Sequence, residues 1–239
     1  MVNDEQIRII YGAEFLELWS EVGPYTMVSP ERAYATYNAC NYVCHNKIKG
    51  DFVECGVYRG GMAILAAKVF LKWDQATRKI WLFDTFAGMS TPTEEDIDRQ
   101  GVSAAVQLAA EPDMCLASLP EVKSNFARLN YPEVQFVEGD VLQTLTISNN
   151  LPRNISVLRL DTDWYESTRM ELDVLYPRLV DRGVVLVDDY GHWVGARKAV
   201  DEFIAASTLP IYLTRTDSTG VEFVKPTATW REKLRRLSV

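Results

Sequence analysis

The stretch DFVECGVYRGGMAILAAKVFLKW, residues 51–73, carries the pattern that decides the fold. Its first part is a short apolar run that ends in glycine, which predicts a strand. Its second part, from Gly60 to Trp73, has the length and composition of a buried helix. A strand that passes through a glycine-containing loop directly into a helix is typical of β–α–β units. This stretch therefore predicts a sheet whose strands are joined by helical crossovers.

The rest of the chain repeats this alternation. Further strands are predicted at KIWLFD (79–84), VQFVEGD (134–140), ISVLRLD (155–161) and VVLVDD (184–189). Helices are predicted at SLPEVKSNFARL (118–129), where Ser118 and Glu121 form a capping box, and at ESTRMELDVLYPRLVDRG (166–183). Alternating strands and helices predict an α/β fold, with a mainly parallel sheet that helices cover on both faces.

The domain organisation is simple. The sequence has no internal repeat and no break in composition, so we expect residues 1–239 to form one domain. Helical apolar spacing over residues 4–19 and 30–47 predicts an N-terminal helical cap within residues 1–50. Residues 90–114 are long for a strand-to-helix connection, and long connections in compact domains are commonly lids. We therefore expect this segment to close over the site and to select its ligand.

Charge and hydropathy limit the partners. The chain has 239 residues, a net charge of −8 and 47% apolar residues, which argues for a globular protein that does not bind nucleic acid. The basic cluster WREKLRRLSV, residues 230–239, is interpreted as a terminal helix packed on the surface through Trp230, Leu234 and Leu237. No apolar run approaches the roughly 20 residues that a membrane span requires, and the first residues lack a signal-peptide pattern. We expect a cytoplasmic protein that binds small molecules or cations.

Carboxylates stand at or just past the ends of five predicted strands: Glu54, Asp84, Asp140, Asp161, and Asp188 with Asp189. A single acid at a strand end is commonly a helix cap or a solvated loop residue. Because the carboxyl ends of parallel strands meet at one edge of the sheet, where ligands bind in such folds, five acidic segments indicate a site. Repulsion among these acids must be offset by a cation, by hydroxyl donors or by helix N-termini.

The loop after the first strand is suited to a cofactor. Gly56, Gly60 and Gly61 allow the backbone to approach a ligand closely. Tyr58 stands where the dinucleotide fingerprint G-x-G-x-x-G has its second glycine. The sequence therefore favours a nucleoside cofactor without a pyrophosphate.

Strand ends that follow this loop could bind the nucleoside. Asp84, at the end of the second strand, is placed to accept hydrogen bonds from both ribose hydroxyls. Asp140, at the end of the third strand, could accept a hydrogen bond from the adenine amino group by the same geometry. Phe86 could either cover the base or pack in the core.

The last two strand ends predict a metal site. Asp161, Asp188 and Asp189 are hard oxygen donors, which favour Mg²⁺ or a similar divalent cation over zinc. Consecutive strand residues point to opposite faces, so Asp188 and Asp189 can share an ion only if the chain bends there. Asp163 lies two residues beyond Asp161 and is a candidate general base. His192 could be a second base or a donor to the substrate, or it could only bond a neighbouring aspartate.

Most of the chain resembles the TylF-type macrocin O-methyltransferases, which methylate sugar hydroxyls with S-adenosylmethionine. The blocks that carry the resemblance are SPERAYATYNACNYV, GDFVECGVYRGG, WLFDTFAGM, VQFVEGDVLQTL, LRLDTDWYESTRMELDVLYPRLVDRGVVLVDDYGHWVGARKAVDEF and TGVEFVKP. The resemblance implies a class I, Rossmann-like methyltransferase fold, in which a seven-stranded sheet with an antiparallel last strand lies between two helical layers. It also implies a homo-oligomer.

The same resemblance implies roles for individual residues. A divalent metal is expected on Asp161, Asp188 and Asp189, and Asp163 is expected to take the proton from the acceptor hydroxyl. Together with the loop and strand-end residues above, the candidate cofactor site comprises Glu54, Gly56, Tyr58, Gly60, Gly61, Asp84, Phe86, Gly139, Asp140 and Asp161. Two other functions stay open, a catechol-type O-methyltransferase and a non-catalytic nucleoside-binding module.

Overall fold

The computed structural model describes residues 4–227, and a single seven-stranded sheet forms their centre. The strands are β1 (Asp51–Cys55), β2 (Ile80–Asp84), β3 (Val134–Glu138), β4 (Ile155–Leu160), β5 (Leu179–Val187), β6 (Thr214–Arg215) and β7 (Val221–Val224). They lie in the order 3-2-1-4-5-7-6. The strands from β3 to β5 are paired in parallel, whereas β7 runs antiparallel to both of its neighbours. The predicted α/β fold with its antiparallel last strand is confirmed.

Helices cover both faces of this sheet. They are α1 (Asp4–Tyr11), α2 (Ala13–Val22), α3 (Pro30–His45), α4 (Gly61–Lys72), α5 (Ala104–Ala110), α6 (Leu119–Ala127), α7 (Val141–Thr144), α8 (Tyr165–Leu175) and α9 (Val194–Ala206). Because neighbouring strand residues point to opposite faces, Phe52 joins one core with α3, α4 and α6, and Val53 joins the other with α8 and α9. Within residues 4–227, no helix is long and apolar enough to cross a bilayer.

The N-terminal cap differs in one respect from the prediction. The single helix predicted over residues 4–19 is two helices, α1 and α2, because Gly12 adopts a φ of 76° between them. The start of α3 follows its SPER sequence, since the Ser29 side chain accepts a hydrogen bond from the Arg32 N–H and Pro30 occupies the first turn. The interpretation of residues 230–239 as a helix falls outside the described residues.

The prediction that one helix runs to Gly183 is wrong. Helix α8 ends at Leu175, and a short 3-10 turn that contains Pro177 follows it. Proline lacks the N–H that a helix interior needs. Strand β5 therefore begins at Leu179, five residues before the predicted strand.

Residues 90–114 lie against the edge of the sheet where the parallel strands end. Asp98 pairs with Trp193 in an isolated β-bridge, and Ile97 pairs with Ser103 within the segment. The Asp96 carboxylate accepts a hydrogen bond from the Tyr165 N–H at the start of α8, with an N to O distance of 2.7 Å. These contacts hold the segment beside the starts of α8 and α9, and its role as a lid stays a prediction.

Candidate active site

A cavity of about 380 Å³ opens at the carboxyl ends of the parallel strands. The predicted site residues that line it are Glu54, Gly56, Tyr58, Asp84, Gly139, Asp140, Asp161, Asp163, Asp188, Asp189 and His192. Met27 from the N-terminal cap and Gln107 from α5 line it as well, so both segments contribute walls. The fold thus gathers the strand-end carboxylates around one enclosed space.

The first loop of the site depends on Gly56. Its φ is +80°, and a Cβ added there would lie 1.9 Å from the carbonyl oxygen of Asp161. Tyr58 also has a left-handed backbone, with a φ of 49°. One carboxylate oxygen of Asp84 accepts hydrogen bonds from the N–H groups of Val57 and Tyr58, at 2.6 Å and 3.1 Å. Asp84 therefore holds this loop in its unusual conformation.

Hydrogen bonds within the protein occupy the Asp84 oxygens that are predicted to accept hydrogen bonds from the ribose. The other oxygen of Asp84 accepts a hydrogen bond from the Phe86 N–H at 2.7 Å, so both oxygens have protein partners. Asp140 has more freedom: its Oδ1 caps α7 by accepting a hydrogen bond from the Leu142 N–H at 2.8 Å. The contacts of Asp84 and Asp140 with a nucleoside stay predictions.

Three predicted cofactor residues lie outside the lining of the cavity. A Cβ on Gly61 would meet the Cβ of Thr26 at 2.7 Å, so this glycine allows the N-terminal segment to close on the loop. Gly60 packs in the same way against Phe126. Phe86 is 6% exposed and packs in the core, and its contact with a base stays a prediction.

Three carboxylates converge within the cavity. One ligand atom from each of Asp161, Asp163 and Asp189 lies within 4.8 Å of the other two. Among residues 4–227, the buried Oδ2 of Asp189 has no hydrogen-bond partner. Asp188 also lines the cavity but is not a member of this cluster. Two of the three predicted metal ligands are thus in the cluster, together with the predicted base.

Asp188 instead meets a buried arginine that the sequence reasoning missed. Arg159, in β4, is 2% exposed and donates hydrogen bonds to Asp188 at 2.5 Å, to Asp161 at 2.7 Å and to Glu54 at 3.0 Å. The signal was present in the sequence, because a lone arginine within the apolar run ISVLRL must find carboxylates when it is buried. Arg159 supplies much of the positive charge that the clustered acids require.

A second arginine joins the N-terminal cap to the site. Arg32, in α3, forms a salt bridge with Asp188 and another with Asp217, at 3.1 Å, in the turn between β6 and β7. Gly220 in that turn is needed, because a Cβ there would approach the Arg32 stem at 2.9 Å. Arg32 therefore links the cap, β5 and the last hairpin beside the cavity.

Burial controls the protonation of these acids. Desolvation and the nearby charge of Asp161 raise the pKa of Asp163 to about 7. Desolvation raises the pKa of Glu54 to about 8, although Arg159 opposes the shift. In the part of the chain that the structure describes, the buried Oε2 of Glu54 accepts no hydrogen bond. Buried carboxylates with raised pKa values bind a proton or a cation readily.

Two aromatic neighbours complete the polar end of the cavity. The indole N–H of Trp193 donates a hydrogen bond to Asp163 at 3.1 Å, a contact that the sequence reasoning missed. His192 lines the cavity beside Trp193, and burial lowers the pKa of its imidazole. A neutral histidine can accept a proton, so its predicted catalytic role stays a prediction.

We expect Arg159→Met to lower the free energy of unfolding by about 3–5 kcal/mol, because it leaves buried carboxylates without their common partner. Urea denaturation followed by tryptophan fluorescence would measure the loss. The control is Arg169→Met, which removes exposed salt bridges to Asp173 and Glu202 and should change stability by less than about 1 kcal/mol. Equal losses in both variants would show that Arg159 does not have this role.

Comparison with known proteins gives consistent matches. The family model described as Macrocin-O-methyltransferase (TylF) matches residues 17–225. The 8-demethyl-8-(2,3-dimethoxy-alpha-L-rhamnosyl)-tetracenomycin-C 4'-O-methyltransferase of Streptomyces olivaceus is 31% identical, over 85% of this chain and 76% of its own length. The demethyldecarbamoylnovobiocin O-methyltransferase of Streptomyces niveus is 32% identical, over 82% of this chain and 74% of its own length. The solved structure of the O-methyltransferase NovP matches with a TM-score of 0.76 and 31% identity, over 85% of this chain and 83% of that one.

Proposed function

Because this chain belongs to the TylF macrocin O-methyltransferase family and is an S-adenosylmethionine-dependent O-methyltransferase, we propose that it methylates a sugar hydroxyl of a glycosylated small molecule with the help of a divalent metal ion. The name of one relative includes a rhamnosyl group, which supports a glycoside as the acceptor. The single observation that carries the metal is the convergence of Asp161, Asp163 and Asp189 in the cavity.

The cluster fits a hard divalent cation. All of its donors are carboxylate oxygens, the ligands that Mg²⁺ prefers, and the Oδ2 of Asp189 is buried without a partner within the described residues. Asp161 and Asp189 occur both in the cluster and in the predicted ligand set, and we propose them as the principal ligands. Asp188 is proposed as the third ligand, which requires that its carboxylate exchange the salt bridge with Arg32 for the ion. A bound cation supplies a Lewis acid that lowers the pKa of an acceptor hydroxyl.

The part of the cavity formed by Glu54 and the loop after β1 fits the methyl donor, S-adenosylmethionine, which would supply a methyl group on a sulfonium. The buried Oε2 of Glu54 is an acceptor for the ammonium group of its methionine part. The loop at Gly56 and Tyr58 gives it room to approach the backbone, and Gly139 lines the cavity next to Asp140. We propose that Asp140 contacts the adenine amino group.

Asp163 is the proposed general base. The Trp193 N–H holds one of its oxygens, Oδ2, and so orients the carboxylate. A pKa near 7 matches a base that works at neutral pH. Bound S-adenosylmethionine would supply the methyl group with loss of its carbon–sulfur bond, and Asp163 would take the proton that the acceptor hydroxyl gives up. Residues 90–114, which supply Gln107 to the cavity wall, are proposed to exclude water and to select the acceptor.

The acceptor class can be tested by the release of S-adenosylhomocysteine. We expect release with glycosides that carry free sugar hydroxyls to exceed that with the matching aglycones and with catechols by at least about tenfold, because the site is proposed to bind the sugar. Mass spectrometry of the product should find the methyl group on the sugar. A preference for catechols would replace the proposal with a catechol-type enzyme. Binding of the donor without transfer to any member of a broad panel would favour a nucleoside-binding module.

A further inference from the structure

A second cavity lies at the other edge of the sheet. It has a volume of about 910 Å³ and is formed by the segments that precede β1, β4 and β5, with Lys225 at the end of β7. The parallel strands begin at this edge and end at the candidate active site, whose cavity we call the methyl-transfer cavity. The two cavities are therefore separated by the length of the strands, and we call this second one the basic groove.

The basic groove has a distinctive charge. The cationic side chains that line it are Lys47, Lys49, Arg153, Arg178, Arg182 and Lys225, while Asp181 is the single acidic residue in the described part of the lining. The whole chain has a net charge of −8, so the basic groove is a positively charged surface on a protein that is negatively charged overall. Many cations elsewhere pair with carboxylates, for example Lys68 with Glu21 and Lys198 with Glu95.

Three cations of the groove are not neutralised in that way, whereas the Lys225 ammonium donates hydrogen bonds to the carbonyl oxygens of Tyr176 and Leu179. Among residues 4–227, Lys49, Arg153 and Arg178 form no salt bridge, and the Nε of Arg178 is buried without a hydrogen-bond partner. Lys49 and Arg153 are exposed to solvent. Unpaired cations from separate segments that line one concave surface attract an anion with several charges.

The fold builds this groove through an irregularity in β5. Ile155 of β4 pairs with Leu179, but Val157 pairs with Val184, so the chain between Leu179 and Val184 bulges out of the sheet. Arg182, in this bulge, has a φ of 68° and donates a hydrogen bond to the Asn46 side chain at 3.2 Å. The bulge and the loop before β1 are therefore fixed against each other as two walls.

We propose that the basic groove binds a compact polyanion that carries phosphate groups, at a site distinct from the methyl-transfer cavity. Guanidinium and ammonium groups are the side chains that recognise phosphate oxygens. Among the described residues, the lining contains no aromatic side chain, which a protein interface commonly uses as an anchor and which a nucleobase would need for stacking. A long nucleic acid would extend from the groove onto a protein of net negative charge. A small ligand that is recognised through its phosphates fits best.

Isothermal titration with inorganic tripolyphosphate, at low ionic strength and without added metal, tests this site. We expect the double variant Lys49→Gln, Arg153→Gln to weaken binding at least tenfold. The control is Lys123→Gln, Arg215→Gln, which removes the same charges from exposed positions outside the groove and should change the affinity less than twofold. Adenosine triphosphate should bind about as tightly as tripolyphosphate, because none of the described lining residues is an aromatic that could stack on a base.

Several results would overturn the proposal. Absence of binding by the wild-type protein at millimolar tripolyphosphate would exclude the site. Equal losses in the two double variants would indicate an adventitious ion only. Unchanged binding in the groove variant would move the site elsewhere, for example to the four cations within residues 231–236. Binding of a polyglutamate peptide but not of tripolyphosphate would replace the ligand with an acidic protein segment.

Discussion

Asp163→Asn is expected to lower the turnover of methyl transfer by about 10²-fold or more, in the range that general bases contribute, while the affinity for S-adenosylhomocysteine should stay within about twofold. The amide keeps the shape of the side chain and can still accept the hydrogen bond from Trp193, but it cannot take a proton. Single-turnover kinetics with a glycoside acceptor would measure the chemical step, and calorimetry would measure product binding. Near wild-type turnover would remove Asp163 from the mechanism.

The pH dependence of turnover is a second test of Asp163 as the general base. Asp163 must be ionised to act as a base, so wild-type turnover should fall as the pH decreases through its pKa. Burial raises that pKa to about 7 in the metal-free chain, and a bound cation would move it lower, so the fall should occur at or below about pH 7. The Asp163→Asn variant should lack this acid limb. Asp173→Asn, at a surface position paired with Arg169, is the matched control and should keep the wild-type profile.

Removal of divalent metal is expected to lower transfer by about 10²-fold or more, and added Mg²⁺ should restore it. A Lewis acid contributes several kcal/mol to such a transition state, and each 1.4 kcal/mol changes the rate about tenfold. The measurement is S-adenosylhomocysteine release after treatment with EDTA and again after repletion. Full activity in EDTA would contradict the metal proposal and leave the acceptor proposal standing.

A direct measurement of Mn²⁺ binding tests the metal site independently of catalysis. Asp189→Asn should weaken the binding of Mn²⁺ at least tenfold, because Asp189 supplies the buried oxygen that has no partner in the described chain. Electron paramagnetic resonance of free Mn²⁺ measures this affinity without a turnover. Asp201→Asn, at a half-exposed carboxylate that bonds Tyr190, should leave the affinity unchanged.

The architecture was predictable from local sequence because it rests on short-range chemistry. Apolar runs of strand length, glycine exits such as Gly56 and the cap at Ser29 act over a few residues, and the structure confirms the strands and the start of α3. The boundary of α8 was predicted less well. The apolar spacing continues past Pro177, and only the missing proline N–H explains why the helix ends before it.

The arrangement of charges within the site needed the tertiary structure. The sequence determined that carboxylates follow the strands, and since parallel strands end at one edge, it determined that they meet. It did not determine that Arg159 joins Glu54, Asp161 and Asp188, because these partners come from three strands whose neighbours are set by the sheet order. The salt bridges of Asp188 with Arg32 and Arg159 are fixed in the same way: a buried charge takes its position from the opposite charges that long-range packing places beside it.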